Sequence, residues 1–101
     1  MLDRNLYSGL IRLHILHHAA EGPVFGQAMI DELGRHGYRM SAGTLYPILH
    51  GMERLGYLRS QQRMSAGRNR RVYRATPAGR KALVIARRRV QELFGEMFEQ
   101  D

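Results

Sequence analysis

Between Ser41 and Gly56 the chain spells out one face of a single helix. Leu45, Ile48, Leu49, Met52 and Leu55 follow an unbroken i, i+3, i+4, i+7, i+10 series. Ser41 is placed to cap this helix and Gly56 to end it. Pro47 is the irregular position: in a helix starting after Ser41 it cannot donate to the Gly43 carbonyl, whereas in a later-starting helix it falls in the first turn. Either way, Gly43 to Pro47 is a helix N-terminal region. A helix that is apolar on one side must bury that side, so the remaining segments have to supply its core.

The flanking sequence supplies three more helices and a hairpin. Leu6, Leu10, Leu13, Leu16 and Ala20 recur at helical spacing after Asp3 or Asn5 as cap, and Gly22-Pro23 stops the element. Tyr7, Ile11 and Ile15 widen its apolar surface, so a second subunit is expected against that side. Phe25, Met29, Ile30 and Leu33 mark a short second helix closed by Gly34 or Gly37. After Gly56, Tyr57 to Arg63 and Arg70 to Ala75 read as strands, joined by Met64 to Asn69. Thr76-Pro77 opens a final helix with a cap and a proline at its first position. Its stripe is Leu83, Ala86, Val90, Leu93, Phe94 and Met97. Roughly 22 residues of helix extend about 33 Å, beyond what so small a core covers, so the far end also calls for a partner.

The charge identifies the kind of molecule that such a scaffold meets. From Arg54 to Arg89 there are twelve basic residues and no Asp or Glu. The whole chain carries a net charge of +7, which favours a polyanion. Arg68, Arg70, Arg71 and Arg74 cluster beside the Ser65-Ala66-Gly67 turn signal and are expected on DNA backbone. Helix, glycine turn, helix and basic hairpin is the order of a winged helix-turn-helix, and its second helix enters the major groove. Ser41, Thr44, Tyr46 and His50 are the polar side chains that such a helix directs outward.

These residues also carry a family resemblance. Ser41-Ala42-Gly43-Thr44-Leu45-Tyr46-Pro47-Ile48-Leu49, running on to Met52-Glu53-Arg54-Leu55-Gly56-Tyr57-Leu58, closely resembles the recognition-helix region of PadR-type transcriptional regulators. Arg71-Val72-Tyr73-Arg74-Ala75-Thr76-Pro77-Ala78-Gly79-Arg80 is similar to the family's wing strand leading into its C-terminal helix, and Phe25-Gly26-Gln27 to the start of its second helix. The resemblance implies a dimeric winged-helix repressor of the short subfamily, with the first and last helices at the dimer interface. It implies DNA-facing roles for Thr44, Tyr46 and Pro47, and a place in the wing strand for Tyr73. The fold expected is mainly α with a small β-hairpin: a winged helix-turn-helix over residues 1–75 and a dimerisation helix over 76–101. Tyr7, Ile11, Ile15, Val90, Leu93, Phe94 and Met97 are the expected interface. With no Trp in the chain, a flat hydrophobic effector would have only Tyr7, Phe94 or Phe98 to stack on.

Other readings are set against this one. A basic architectural or RNA-binding module shares the charge but needs no groove-reading helix, and a protein-interaction adaptor shares the long last helix but needs no DNA. Arg87, Arg88 and Arg89 splay round that helix and are read as a solvated flank or as partners of Glu92 and Glu96. His14, His17 and His18 have ligand-like spacing, but no second ligand cluster accompanies them, so they are placed at the edge of a subunit interface and no metal or cofactor is expected. There is no cysteine, no phosphate-binding glycine loop and no nucleophile elbow, so an enzyme is not expected. The N-terminal residues lack a secretory pattern and histidines interrupt the most apolar stretch, which favours a cytoplasmic protein without a membrane span.

Overall fold

The computed structural model describes residues 3–98. Asp3 caps the first helix, α1 (Arg4–Glu21), its Oδ1 accepting from the backbone N–H groups of Asn5 and Leu6 at 3.0 and 3.2 Å. A strand of only two residues, β1 (Val24–Phe25), leads into α2 (Gly26–Arg35). The segment with the i, i+3, i+4, i+7 apolar series is α3 (Ala42–Arg54), followed by β2 (Leu58–Ser65), β3 (Arg68–Ala75) and α4 (Pro77–Phe98). The three strands form an antiparallel sheet in the order β1-β3-β2. No helix among the described residues is long and apolar enough to cross a membrane.

The ends of α2 and α3 are built alike. Tyr38 N–H returns to the Leu33 carbonyl (2.9 Å) and Gly37 N–H to that of Gly34 (3.1 Å), while Tyr57 returns to Met52 (3.0 Å) and Gly56 to Glu53 (2.9 Å). This pairing satisfies carbonyls left over at a helix end and demands a left-handed residue, supplied by Gly37 (φ 89°) and Gly56 (φ 88°). Between the two, α3 presents Leu45, Leu49 and Met52 to a core shared with Ile11, Ile15, Leu16, Ala19, Met29, Leu33, Leu58, Tyr73 and Leu83. Leu55 does not continue that stripe. It is the C-terminal cap and stands 73% exposed, because the helix closes before its next inward turn.

Three expectations need correction. Ile11 and Ile15, expected at a subunit interface, are 1% and 0% exposed inside this protomer's own core, and Tyr7 packs against that core. The outward face of α1 carries Leu6 and Leu10 instead. The hairpin is longer than expected, pairing Leu58 with Ala75 through to Ser65 with Arg68, so only Ala66 (φ 52°) and Gly67 (φ 76°) remain for the turn. Finally, β1 was not anticipated: Val24 and Phe25 pair with Tyr73 and Val72, making β3 the central strand and burying consecutive residues on both of its faces.

At one junction α3, the hairpin and α4 are tied together. Thr76 Oγ1 accepts from Gly79 N–H at 3.0 Å as the cap of α4 and donates to the Gly56 carbonyl at 2.6 Å, while its N–H reaches the Tyr57 carbonyl at 3.1 Å. α4 comes so near that a Cβ on Gly79 would lie 2.2 Å from the Tyr57 carbonyl oxygen and 3.1 Å from Leu16 Cδ1. Beyond this junction α4 leaves the core, and the molecule measures 56 × 33 × 21 Å. Val90, Leu93, Phe94, Met97 and Phe98 are all exposed along it.

Gly79→Ala should therefore destabilise the fold by about 1–3 kcal/mol through overpacking. Gly51→Ala, in the interior of α3 with nothing within 4 Å of the added methyl, should stabilise it by about 0.5–1 kcal/mol. Leu45→Ala, at a position 0% exposed, should cost about 2–5 kcal/mol. Urea unfolding followed by circular dichroism measures all three.

Candidate nucleic-acid interface

The start of α3 projects from a core-locked base. Leu45 and Leu49 hold the helix down, while Ser41, Pro47 and His50 are exposed and Thr44 is half-buried. Ser41 occupies the cap position, yet its side chain makes no capping bond, so the hydroxyl is not committed to its own helix. Thr44 is engaged from α1: Arg4 Nη1 donates to its Oγ1 at 3.2 Å. Arg4 thus joins this surface from a position 40 residues away, which no local pattern could have revealed. Pro47 lies inside α3 and gives the Gly43 carbonyl no amide donor, leaving a backbone acceptor in the first turns of the helix.

Two tyrosines expected at the interface have other work. Tyr46 is half-buried and fills the place where Gly26 lacks a side chain: a Cβ there would lie 2.2 Å from its hydroxyl oxygen. Its ring sets the spacing between α2 and α3. Tyr73 is 1% exposed at the centre of the sheet and is not available to DNA. Burial pushes its phenol above the ordinary value, and its hydroxyl has no hydrogen-bond partner among the described residues. The wing-strand position is as expected, but Tyr73 lies on the face of β3 that packs against the helices, which turns this residue into core.

The hairpin separates its arginines by face. Alternation along paired strands puts Arg68, Arg70 and Arg74 of β3 on the face away from the helices, together with Arg59 and Arg63 of β2. The register sets Arg59 directly opposite Arg74 and Arg63 directly opposite Arg70. Like charges facing each other across a ladder are unfavourable, and none of these five side chains is ion-paired among the described residues. Arg70 is partly offset by the Phe25 ring, whose centroid lies 4.2 Å from its guanidinium carbon. Arg71 points the other way. Its Nη1 donates to Ser60 Oγ at 2.9 Å, and that hydroxyl donates to Glu53 Oε2 of α3 at 2.8 Å, so Arg71 braces the hairpin against α3. Arg59 and Arg63 were missed as candidates; reading the two-residue turn at Ala66-Gly67 would have fixed the register that exposes them. Arg87, Arg88 and Arg89 are exposed on α4 and make no ion pair with Glu92 or Glu96 among the described residues.

Between α1 and α4 lies an apolar groove of about 510 Å³, lined by Leu10, Leu13, Leu83, Ala86 and Val90 with His14 and His17 at its edge. It continues into the exposed apolar stripe of α4. The interface residues expected on α4, Val90, Leu93, Phe94 and Met97, all lie on this uncovered surface, and Phe94 and Phe98 pack ring to ring with centroids 5.0 Å apart.

Comparison with known proteins agrees with this architecture. Residues 15–84 match the model of the transcriptional regulator PadR-like family. The chain is 56% identical over 94 residues to Transcriptional regulator Rv3488 of Mycobacterium tuberculosis, covering 93% of this chain and 88% of that protein. Among solved structures, a PadR family transcriptional regulator from Eggerthella lenta superposes with a TM-score of 0.77 at 28% identity, covering 96% of this chain and 88% of that one. A PadR-like regulator from Bacillus cereus shares the fold with a TM-score of 0.80 at 22% identity, covering 96% and 99%. With a family match over more than half its length and so similar a relative, the chain belongs to the PadR-like family of transcriptional regulators.

Proposed function

We propose that this regulator works in the cytoplasm as a homodimeric repressor that binds a pseudo-palindromic operator on double-stranded DNA. The observation that carries the proposal is the pairing of two surfaces on one rigid unit: the exposed start of α3, and a hairpin face bearing five arginines without counter-charge. In this reading residues 1–75 are the DNA-binding unit. Ser41, Thr44, Pro47 and His50 meet base edges or phosphates, and Arg63, Arg68, Arg70 and Arg74 meet backbone phosphates. Arg71 contributes by holding the wing at a fixed angle to α3. Tyr46 acts through packing.

Residues 76–101 are the dimerisation element. The groove between α1 and α4, together with Val90, Leu93, Phe94 and Met97, is a contiguous apolar surface of the kind that a second copy covers. A small hydrophobic effector would be enclosed in that groove, against Leu10, Leu13 and Val90. Two-fold symmetry sets the half-sites about one DNA turn, near 34 Å, apart.

Selection of bound genomic fragments followed by footprinting tests the reading. Protection with dyad symmetry, and a preference of roughly 10³ or more over random duplex at physiological salt, is the expected result. Protection without symmetry or preference would instead point to a basic architectural protein. Thr44→Ala and His50→Ala should relax the sequence preference, whereas Arg63→Ala and Arg68→Ala should weaken every duplex alike and each lower the salt slope by about one. For the dimer, Phe94→Asp should yield monomers in light scattering while circular dichroism keeps the helical signal.

A further inference from the structure

DNA binding leaves the histidines of α1 unexplained, and the fold gives them what the sequence lacked. His14 and His18, one turn apart on α1, face the end of α2. There His36, the C-terminal cap of α2, comes against them, and the donor nitrogens of His14, His18 and His36 all lie within 4.8 Å of one another. Glu32, one turn before His36, stands beside two of these three. Its Oε2 lies 2.9 Å from His36 Nε2 and 3.4 Å from His18 Nε2. The rings of His14 and His36 are 4.6 Å apart, and Tyr38 walls the other side of His14 at 5.3 Å.

We propose that His14, His18, His36 and Glu32 form a divalent transition-metal site that joins α1 to α2, with zinc the ion that fits it best. Three imidazoles and a carboxylate are a donor set suited to zinc, whose bonds of about 2.0–2.1 Å give a tetrahedron with donor-to-donor edges of about 3.3 Å. The Glu32 to His18 separation of 3.4 Å is already such an edge. To bind one ion the imidazoles must draw closer by rotation, and the side chains concerned are half-buried or exposed.

Both halves of the site are i, i+4 pairs, one within α1 and one from the last turn of α2 to its cap, a spacing that presents ligands on one face. The carboxylate is divided between two tasks. Arg35 Nη2 donates to Glu32 Oε1 at 2.6 Å, which orients the group and leaves Oε2 for the ion. The side chains of His18 and Glu32 are 25% and 24% exposed, which leaves the ion a way in.

His17, His18 and Glu21 form a competing cluster, but all three stand on α1 alone and Glu21 is mostly exposed. An ion there would bridge nothing.

The test is zinc titration of untagged, chelator-stripped protein by calorimetry and by competition with a chromogenic chelator. One zinc per chain with a dissociation constant of about 10 µM or tighter, and a melting temperature raised by roughly 5 °C or more at saturation, is expected. His36→Gln and His14→Gln should weaken binding at least about tenfold and abolish the thermal shift, Glu32→Gln should weaken it about tenfold, and His17→Gln should leave both readouts unchanged. His36 is exposed, so His36→Gln should fold as the parent does, which circular dichroism checks. Unchanged affinity in His36→Gln, lost affinity in His17→Gln, or no zinc bound below about 100 µM would each overturn the proposal.

Discussion

A single hydroxyl, that of Thr76, fixes where everything else sits. It closes the first turn of α4 and at the same time bonds the carbonyl that ends α3, while the Thr76 amide holds the carbonyl that begins the hairpin. α3, the hairpin and α4 therefore share an origin a few ångströms across. Close packing at Gly79 makes that origin stiff, because backbone lies against backbone with no side chain between to yield. In a chain this short, geometry set at one such point propagates along α4 with the rigidity of a helix.

α1 shows how one helix can serve several surfaces. Ile11, Ile15 and Ala19 belong to the core, Leu10 and Leu13 to the groove against α4, His14 and His18 to the cluster against α2, and Arg4 to the start of α3. Its exposed residues mix the apolar Leu6 and Leu10 with the polar Asn5 and Arg12. That explains its modest amphipathic contrast: a helix contacted from most directions has no single polar side.

Where one face alone is buried, the sequence was readable. α3 is the clearest case, with cap position and terminal glycine where the pattern put them and Leu45, Leu49 and Met52 of its stripe buried, and Thr76-Pro77 opened α4 as its chemistry requires. α1 defeated the same method because it is apolar on both sides. Periodicity then admits two orientations, and only tertiary packing decides that Ile11 and Ile15 go inward. Tyr73 was misplaced for a related reason: being in the wing strand does not say which side of β3 a residue takes, and only packing puts Tyr73 against the helices. Among the candidate DNA contacts, exposure at Ser41, Pro47 and His50 agrees with the sequence, while Tyr46 is claimed by the gap at Gly26. The approach of Arg4 to Thr44, and of His36 to His14, joins residues too far apart in the chain for local pattern to connect.

The facing arginines of the hairpin have a thermodynamic consequence. Arg59 against Arg74 and Arg63 against Arg70 push the strands apart, and the ladder and the Thr76 junction hold them together against that push. Any polyanion laid along this face removes the repulsion, so part of its binding energy is relief of strain internal to the wing. Linkage makes the exchange reciprocal: what the wing gives to the anion in affinity, the anion returns to the wing in order. The hairpin is then the segment whose amide exchange should slow most when the face is occupied, which makes it an internal reporter of occupancy.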